Sequence, residues 1–322
     1  MEHVDFSQPL AALIRAGTHE IHETISNSPA VATLLSGQLS RDDYIRYLMM
    51  LWHIYQSVTL FPSFRTGCST LSSTLEDALD KHATHPVLEP TYNPPLLRRA
   101  PALADDISHL LQVPLATWQS HPAHLRLQST LPAPLVAYLV RIRTLTDSAD
   151  PAPLLAHSYV RYVGDLSGGQ IIRRMASKAY GLDETDRIGL KFYEFRELMG
   201  SGIADQGEMK RIKEWFKDGM DTAGDIGVEV KGKCFRQWPA GLLVWALNLN
   251  LTLCYPAAVY EETTLAYDLN SKLFNTIQTV GSSSTPQSKE SDDALTEQTR
   301  SQTHRFSSVA QFLPLIIAGM SV

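Results

Sequence analysis

Residues 154–170 read LLAHSYVRYVGDLSGGQ, and this stretch is the most informative feature of the chain. Its pattern is helical on both sides, yet it contains glycine at positions 164, 168 and 169. Each glycine inside a helix costs about 0.8–1 kcal/mol relative to alanine, so the three cost about 2–3 kcal/mol. Because glycine has no Cβ, it lets a backbone lie close to a flat ligand and lets a helix bend. With one carboxylate, Asp165, among the glycines, the stretch predicts a bent helix that forms one wall of a site for a planar ligand.

Helical signals recur along the rest of the chain. Ser40 and Asp43 form a capping-box pattern, Asp150 before Pro151 predicts the start of the glycine-bearing helix, and Gly181 predicts its end. Apolar residues follow a helical period near residues 6–27, 104–120, 132–147, 205–221 and 238–265. Strand-like alternation is rare, so we expect an all-α fold.

Composition narrows the class of protein. Apolar residues make up 44% and charged residues 19% of the 322 positions, as in ordinary globular proteins. The net charge of −6 and the lack of a basic stripe argue against nucleic acid as a partner. The three cysteines, Cys68, Cys234 and Cys254, form no CxxC pair, which indicates a reducing compartment without a disulfide framework. The first residues include acids and no apolar core region, so we expect no secretory signal.

The chain divides by composition into three parts. Residues 1–278 carry the helical patterns and are expected to form one domain. Residues 279–304 are rich in Ser, Thr, Gln, Asp and Glu without apolar periodicity, which predicts a disordered linker. Residues 305–322 form an apolar tail, strongest over 312–320 but interrupted by Pro314 and shorter than the ~20 residues that span a bilayer. A short membrane anchor and a merely apolar terminal peptide remain alternative interpretations.

The stretch 154–170 resembles the signature of the haem oxygenase family at essentially every position. Further motifs appear in the same order as in that family: THEIH at 18–22 resembles its proximal-ligand segment, WHIY at 52–55 its second-helix motif, and PVLEPTY at 86–92 a loop of the mammalian enzymes. The resemblance covers about residues 10–265. It implies a single all-α domain in which haem, both cofactor and substrate, lies between a proximal helix and a kinked, glycine-rich distal helix.

Haem iron requires an axial donor, and imidazole is a common one in helical haem proteins. The resemblance implies His22 as this ligand, with Ile21 and Ile25 on the apolar face of its helix. His19 lies one turn earlier on roughly the same face and is the alternative. The family usually has an acid one turn after the ligand, where this chain has Ser26. We therefore expect the imidazole to be tuned more weakly or by other groups.

The resemblance also implies the catalytic residues. Asp165 matches the acid that orders water above the iron and supplies protons to dioxygen during turnover, and Tyr55 and Arg161 match its partners. A water network held by a carboxylate delivers protons without placing a bulky acid at the iron.

Haem propionates are anions and require cations at the pocket mouth. Lys213 and Lys217, spaced four residues apart, match the family's propionate-binding pair, although the second is more usually arginine. Arg15 matches another cation, and Tyr159 a hydroxyl donor. The remaining residues expected to contact haem belong to the signature itself: Gly164, Ser167 and Gly168.

The family chemistry implies oxidative cleavage of haem to biliverdin, carbon monoxide and ferrous iron by O2. The segment 200–202, Gly-Ser-Gly, follows no predicted strand and is no nucleotide loop, so electrons are expected from an NADPH-dependent partner of the cytochrome P450 reductase type. Related enzymes are often anchored to the endoplasmic reticulum by a C-terminal helix. The resemblance therefore implies that this chain lies on the cytosolic face of that membrane, attached through its tail, with a role in iron homeostasis.

Two other classes of function are alternatives. A haem-binding or haem-sensing protein without turnover would have no need for the set of Asp165, Tyr55 and Arg161. A helical hydrolase of the thiaminase type would require a nucleophilic cysteine, and none of the three cysteines lies in a recognisable motif.

Overall fold

A computed structural model describes residues 8–56, 74–236 and 255–277, with the side chains of 229–236 excepted. Within these ranges the regular structure is helical, apart from one isolated antiparallel bridge between Arg196 and Ile203. The buried apolar residues form one main core that runs through all three ranges. The predicted all-α class is confirmed.

The helices follow in chain order. Their bounds are α1 Leu10–Gly17, α2 His19–Ser26, α3 Pro29–Leu35, α4 Arg41–Tyr55, α5 Leu75–Lys81, α6 Pro94–Leu97, α7 Ala100–Leu111, α8 Pro122–Ser129, α9 Ala133–Thr146, α10 Leu154–Ser158, α11 Gly164–Ser167, α12 Gly169–Tyr180, α13 Gln206–Arg236 and α14 Tyr255–Asn275. A π-helical turn, Tyr159–Val163, joins α10 to α11. We call the continuous segment 154–180 the glycine helix. Short 3-10 turns lie at Glu89–Thr91, Trp118–Ser120 and Lys191–Tyr193.

Helix α4 runs through the core and ends at the site. The predicted N-cap at Ser40 is present, as one half of the capping box: Asp43 N donates to Ser40 Oγ at 3.1 Å, and the Asp43 carboxylate accepts from the Ser40 hydroxyl at 2.6 Å. From Tyr44 to Tyr55 every residue except Arg46 is buried, because α4 packs against α5, α7, α8 and α9. The last residue of this helix, Tyr55, therefore reaches the interior on a rigid support.

Two helix boundaries differ from the sequence prediction because proline and turn chemistry prevail locally. Asp150 does not cap the glycine helix; its carboxylate accepts from Ala152 N at 3.1 Å in a turn, and the helix begins at Leu154. The pattern over 104–120 predicts one helix, but α7 ends at Leu111, where Gln112 takes a left-handed conformation with φ of 57°. In contrast, the predicted end at Gly181 is confirmed, since this residue is left-handed with φ of 64°.

The N-terminal pattern over 6–27 is divided into α1 and α2 at Thr18. This residue leaves the helical region with ψ of 7°, and its side chain donates to Ile14 O at 2.7 Å. The helix that carries His22 is therefore a separate unit from the one that carries Arg15.

Helix α14 organises the site. It packs on α1, α2, α3, α9, α10, α13 and the π turn, so both the His22 helix and the glycine helix rest on it. The pattern predicted over 238–265 overlaps only its first half, and residues 237–254 lie outside the described ranges. The linker 279–304 and the tail 305–322 also lie outside them. Among the described helices, none is long and apolar enough to cross a membrane.

Candidate active site

Tyr55, Arg161 and Asp165 meet in the protein interior as a closed cluster. The Tyr55 hydroxyl donates to Asp165 Oδ2, Arg161 Nη2 donates to Asp165 Oδ1 at 3.2 Å, and Arg161 Nε donates to Tyr55 Oη at 3.2 Å. All three side chains are buried. We call this set the relay cluster. The three residues predicted to be catalytic are thus brought together, although their roles stay predictions.

The electrostatics of the relay cluster follow from burial. Burial raises the pKa of the Asp165 carboxyl, whereas Arg161 and the hydrogen bond from Tyr55 act in the opposite direction. Burial raises the pKa of the Tyr55 hydroxyl as well, so its proton stays on the phenol at physiological pH. The carboxylate is balanced by one guanidinium and holds one phenolic proton at Oδ2, which suits a group that must accept and return protons.

Local helix geometry explains why these residues converge. Arg161 and Asp165 are four residues apart and share one face of the glycine helix. Arg161 lies in the π turn, where one extra residue per turn shifts the direction of the following side chains. The irregularity expected from the glycines therefore begins before them, at Tyr159–Val163.

The structure adds a residue that the sequence reasoning missed. Asn270, on α14, accepts at Oδ1 from Arg161 Nη1 at 2.9 Å and so occupies the remaining end of the guanidinium. The signal was an amide on the face that α14 shares with Tyr267 and Leu273, three residues to either side. The helical pattern predicted for this region stopped at residue 265 and did not include it.

A second missed element supports the relay cluster from outside. The turn Lys191–Tyr193 places Phe192 against Tyr55, with ring centroids 6.2 Å apart. Asp106 fixes this turn, since its carboxylate accepts from Lys191 N and Phe192 N at 2.9 and 2.8 Å. The turn therefore helps to hold the Tyr55 ring.

His22 lies half-buried on α2 with its ring edge-on to Tyr267 of α14, the centroids being 6.1 Å apart at 79°. Burial lowers the pKa of His22, and the neighbouring His19 lowers it further. His19 is exposed and lies 3.8 Å from Glu23. Of the two candidates, His22 therefore has the inward position and the tendency to be neutral that iron ligation requires. Ser26 is buried, and Tyr267 is the described aromatic contact of His22.

The predicted cations gather near one another, and we call Arg15, Lys213 and Lys217 the basic rim. Burial lowers the pKa of Lys213, and the charge of Lys217 lowers it further. Burial likewise lowers the pKa of Lys217, with Arg15 as the next cause. The pKa of Tyr159 is raised by burial to about 12, with Arg15 acting against the rise. Because the neighbouring positive charges destabilise the protonated form of each lysine, an anionic ligand between them would stabilise it.

The glycines separate into two kinds. A Cβ on Gly169 would approach the Tyr193 ring at 3.3 Å, so packing within the protein explains this residue. A Cβ on Gly164 would meet no atom within 4 Å, and one on Gly168 would only touch Gly164 O at 3.6 Å. Packing among the described residues therefore does not require glycine at these two positions, whereas close approach by a flat ligand does. Ser167 is buried between them.

These residues fit haem. His22 offers a neutral nitrogen donor, the basic rim offers cations for carboxylates, and Gly164 leaves room at the wall. The chemistry of the donor set agrees with an iron porphyrin.

Comparison with known proteins agrees with this geometry. The family model described as Heme oxygenase matches residues 8–61 and 58–225. The chain belongs to the haem oxygenase family. It is therefore an enzyme of the haem oxygenase class, and the predicted family and enzyme class are confirmed.

Individual relatives show how far the similarity extends. Heme oxygenase 1 of Gallus gallus is 28% identical over 206 residues, which cover 64% of this chain and 58% of that protein. Heme oxygenase 1 of Nostoc sp. is 30% identical over 215 residues, 67% of this chain and 74% of that protein. The crystal structure of heme oxygenase-2 from Synechocystis in complex with heme and NO has a TM-score of 0.59 and 24% identity, covering 85% of this chain and 86% of that one. This last likeness supports the fold.

Proposed function

We propose that this haem oxygenase opens haem oxidatively to biliverdin, carbon monoxide and ferrous iron. Dioxygen is the oxidant, and the electrons come from an NADPH-dependent reductase of the cytochrome P450 reductase type. The observation that carries the proposal is the relay cluster, in which the buried side chains of Tyr55, Arg161 and Asp165 hydrogen-bond to one another. The Synechocystis protein was solved with heme and NO bound, which supports haem as the substrate of this chain as well.

Each part of the site has a separate task. His22 binds the iron, and the basic rim holds the propionates as charge-assisted partners. Bound haem supplies the iron centre at which dioxygen is activated. Gly164 and Gly168 let the porphyrin edge lie against the backbone of the glycine helix. The substrate is thereby oriented before any proton moves.

The relay cluster transfers protons to the bound substrate. Asp165 accepts at Oδ2 the hydrogen bond of the Tyr55 hydroxyl, and Arg161 at Oδ1 stabilises the ionised form. Asp165 is buried but 7% of its surface stays exposed, and a water molecule held there would connect its carboxyl to the bound substrate. Proton transfer through this water requires an ionisable carboxyl whose pKa is raised toward neutrality, and burial raises it.

A haem-binding protein without turnover is the alternative function. Binding alone requires a ligand and cations, whereas the relay cluster buries an ion pair and a phenol at a cost in desolvation. The presence of this cluster therefore favours turnover.

We extend the proposal to location. Residues 305–322 attach the chain weakly to the cytosolic face of the endoplasmic reticulum membrane. The support is the apolar run at 312–320, separated from α14 by more than thirty residues.

The proposal is tested at the iron ligand. His22→Ala is expected to abolish haem turnover and to change the absorption spectrum of the bound haem, because the donor nitrogen is lost. Added imidazole is expected to restore part of both. The matched control is His19→Ala, which removes an exposed imidazole one turn away. An unchanged spectrum in His22→Ala together with a changed spectrum in His19→Ala would make His19 the ligand. The proposed activity would be refuted if wild-type protein supplied with haem, O2 and reductase formed no biliverdin.

A further inference from the structure

A buried carboxylate on α14 lies outside the site described so far. Glu262 is 5% exposed and contacts two other elements of the fold. Its Oε1 lies 2.8 Å from His157 Nε2 of α10 and accepts from Arg141 Nε of α9 at 2.9 Å, and its Oε2 accepts from Arg141 Nη2. One carboxylate thus ties α14 to α9 and to the first turn of the glycine helix.

The partners of Glu262 are themselves held in place. His157 is fully buried, and its ring lies edge-on to that of Tyr138, with centroids 5.4 Å apart at 69°. Two hydrogen bonds from Arg141 and one contact from His157 satisfy the carboxylate on both oxygens. Burial raises the pKa of Glu262, but the hydrogen bonds of Arg141 and His157 outweigh it and lower the pKa to about 2. The group is therefore ionised at physiological pH, and its loss leaves the buried Nε2 of His157 without this partner, whereas the partly exposed Arg141 can bind water instead.

The positions of these residues along their helices connect them to the relay cluster. His157, Arg161 and Asp165 follow one another at intervals of four and share a face of the glycine helix. On α14, Glu262 and Asn270 are eight residues apart, two turns along a common face. His157 meets Glu262, and Arg161 meets Asn270. Both contacts therefore join α14 to the glycine helix.

We propose that Glu262 is a positioning residue for the relay cluster: through His157 it holds α14 in register on the glycine helix, so that Asn270 orients the guanidinium of Arg161. Arg161 oriented in this way points Nε at Tyr55 and Nη2 at Asp165. The inference rests on the proposed function for its catalytic meaning, but the positioning itself is a property of the haem-free chain.

The test measures the orientation of Arg161 directly. In haem-free, 15N-labelled full-length protein, the Arg161 Nε–H resonance, assigned by its loss in Arg161→Lys, reports solvent exchange of the proton donated to Tyr55. Glu262→Ala is expected to raise this exchange rate at least tenfold. Glu262→Gln keeps an acceptor oxygen for His157 and is expected to restore most of the protection. With haem and reductase, Glu262→Ala is expected to lower the turnover rate at least fivefold and to change haem affinity less than twofold.

A control variant separates positioning from general loss of stability. Leu110→Ala creates a cavity at the end of α7, where the Leu110 carbonyl accepts from Arg41, the first residue of α4 and thus at the opposite end of that helix from Tyr55. We expect it to lower the melting temperature and to leave the Arg161 exchange rate unchanged. Equal exchange increases in Leu110→Ala and Glu262→Ala would overturn the proposal, as would wild-type protection in a folded Glu262→Ala. If Glu262→Ala does not fold, unchanged exchange and unchanged turnover in Glu262→Asp would overturn it. Full biliverdin yield from Asp165→Ala would refute the proposed proton relay. If Arg161 Nε–H nevertheless exchanged faster in Glu262→Ala, the positioning role of Glu262 would still hold.

Discussion

The relay cluster and the basic rim handle charge in opposite ways. In the relay cluster, one guanidinium faces one carboxylate at 3.2 Å, and a phenol and an amide complete the hydrogen bonds. In the basic rim, burial and neighbouring like charges lower the pKa of both lysines. The relay cluster contains both members of its ion pair, whereas an added anion would oppose the lowering of the lysine pKa values in the rim. Under the proposed function, the relay cluster transfers protons and the rim binds the substrate.

The largest effect is expected in the relay cluster. Asp165→Ala removes the proton-carrying carboxyl and leaves the basic rim and His22 intact, so biliverdin formation is expected to fall by about 10²–10⁴-fold, the usual contribution of general acid–base catalysis. Haem affinity is expected to change less than twofold. Single-turnover spectroscopy and haem titration measure the two quantities. Asp183→Ala, at an exposed carboxylate, is the control. A normal biliverdin yield from Asp165→Ala would contradict the assignment.

An intermediate effect of the reverse kind is expected in the basic rim. Lys213→Ala and Lys217→Ala each remove a charge-assisted contact, so haem is expected to bind about tenfold more weakly, equivalent to ~1.4 kcal/mol, with little change in the rate of bound haem. Since burial and like charges lower the pKa of both lysines from 10.5, wild-type affinity is expected to decline as the pH rises, beginning below that value.

The control for the rim is Lys210→Ala, which removes an exposed lysine that lies 3.9 Å from Glu214 on the same helix. Haem titrations of the three variants at pH 7 and pH 9.5 are compared. If Lys210→Ala weakens binding as much as Lys213→Ala, the rim has no special role and charge acts only in bulk.

The smallest effect on catalysis is expected outside both regions. Removal of residues 279–322 is expected to leave haem affinity and turnover with soluble reductase within twofold, because the sequence 279–304 lacks the apolar periodicity that core packing requires. The cut must follow Ile277, since this residue is buried and Thr276 O accepts from Arg46 Nη1 at 3.3 Å. A cut after Asn275, at the end of α14, would remove both contacts.

Fractionation tests the same tail for attachment. Full-length protein is expected in the membrane fraction, and the truncated protein in the soluble one. A carbonate wash is expected to release the protein, because the nine residues 312–320 would span only about 14 Å even if they were helical, less than half of a ~30 Å hydrocarbon core. Full-length protein found wholly in the soluble fraction, or activity lost on truncation, would contradict this role.

Local rules predicted the parts of the fold that depend on neighbouring residues. The cap at Ser40 and the left-handed Gly181 lie where the sequence places them, because a side chain or a missing Cβ acts within four residues. The same reach explains the pair Arg161 and Asp165. Local rules gave a wrong helix boundary at Asp150, whose carboxylate accepts a hydrogen bond within a turn. They also gave a wrong boundary at Gln112, where a residue in the left-handed region ends α7 although the apolar pattern continues.

The site shows a similar division. His22, Tyr55 and Asp165 lie in recognisable motifs and were predicted by resemblance. Asn270 was not predicted, because an amide within a helix gives no sign of its role until its hydrogen-bond partner, 109 positions away in the sequence, is known. Three glycines were interpreted together, yet Gly169 differs from the others, and only the position of Tyr193 reveals this.

The helical class and the family can be inferred from the amino-acid sequence, because they depend on residue type and short spacings. Which side chains face each other depends on the packing of the folded chain. Helix α14 brings Tyr267 to His22, Asn270 to Arg161 and Glu262 to His157, and no local propensity specifies such a register. The physical reason is that α14 packs its apolar face against several helices at once, and such packing, together with the polar contacts that it buries, depends on residues far apart in the sequence.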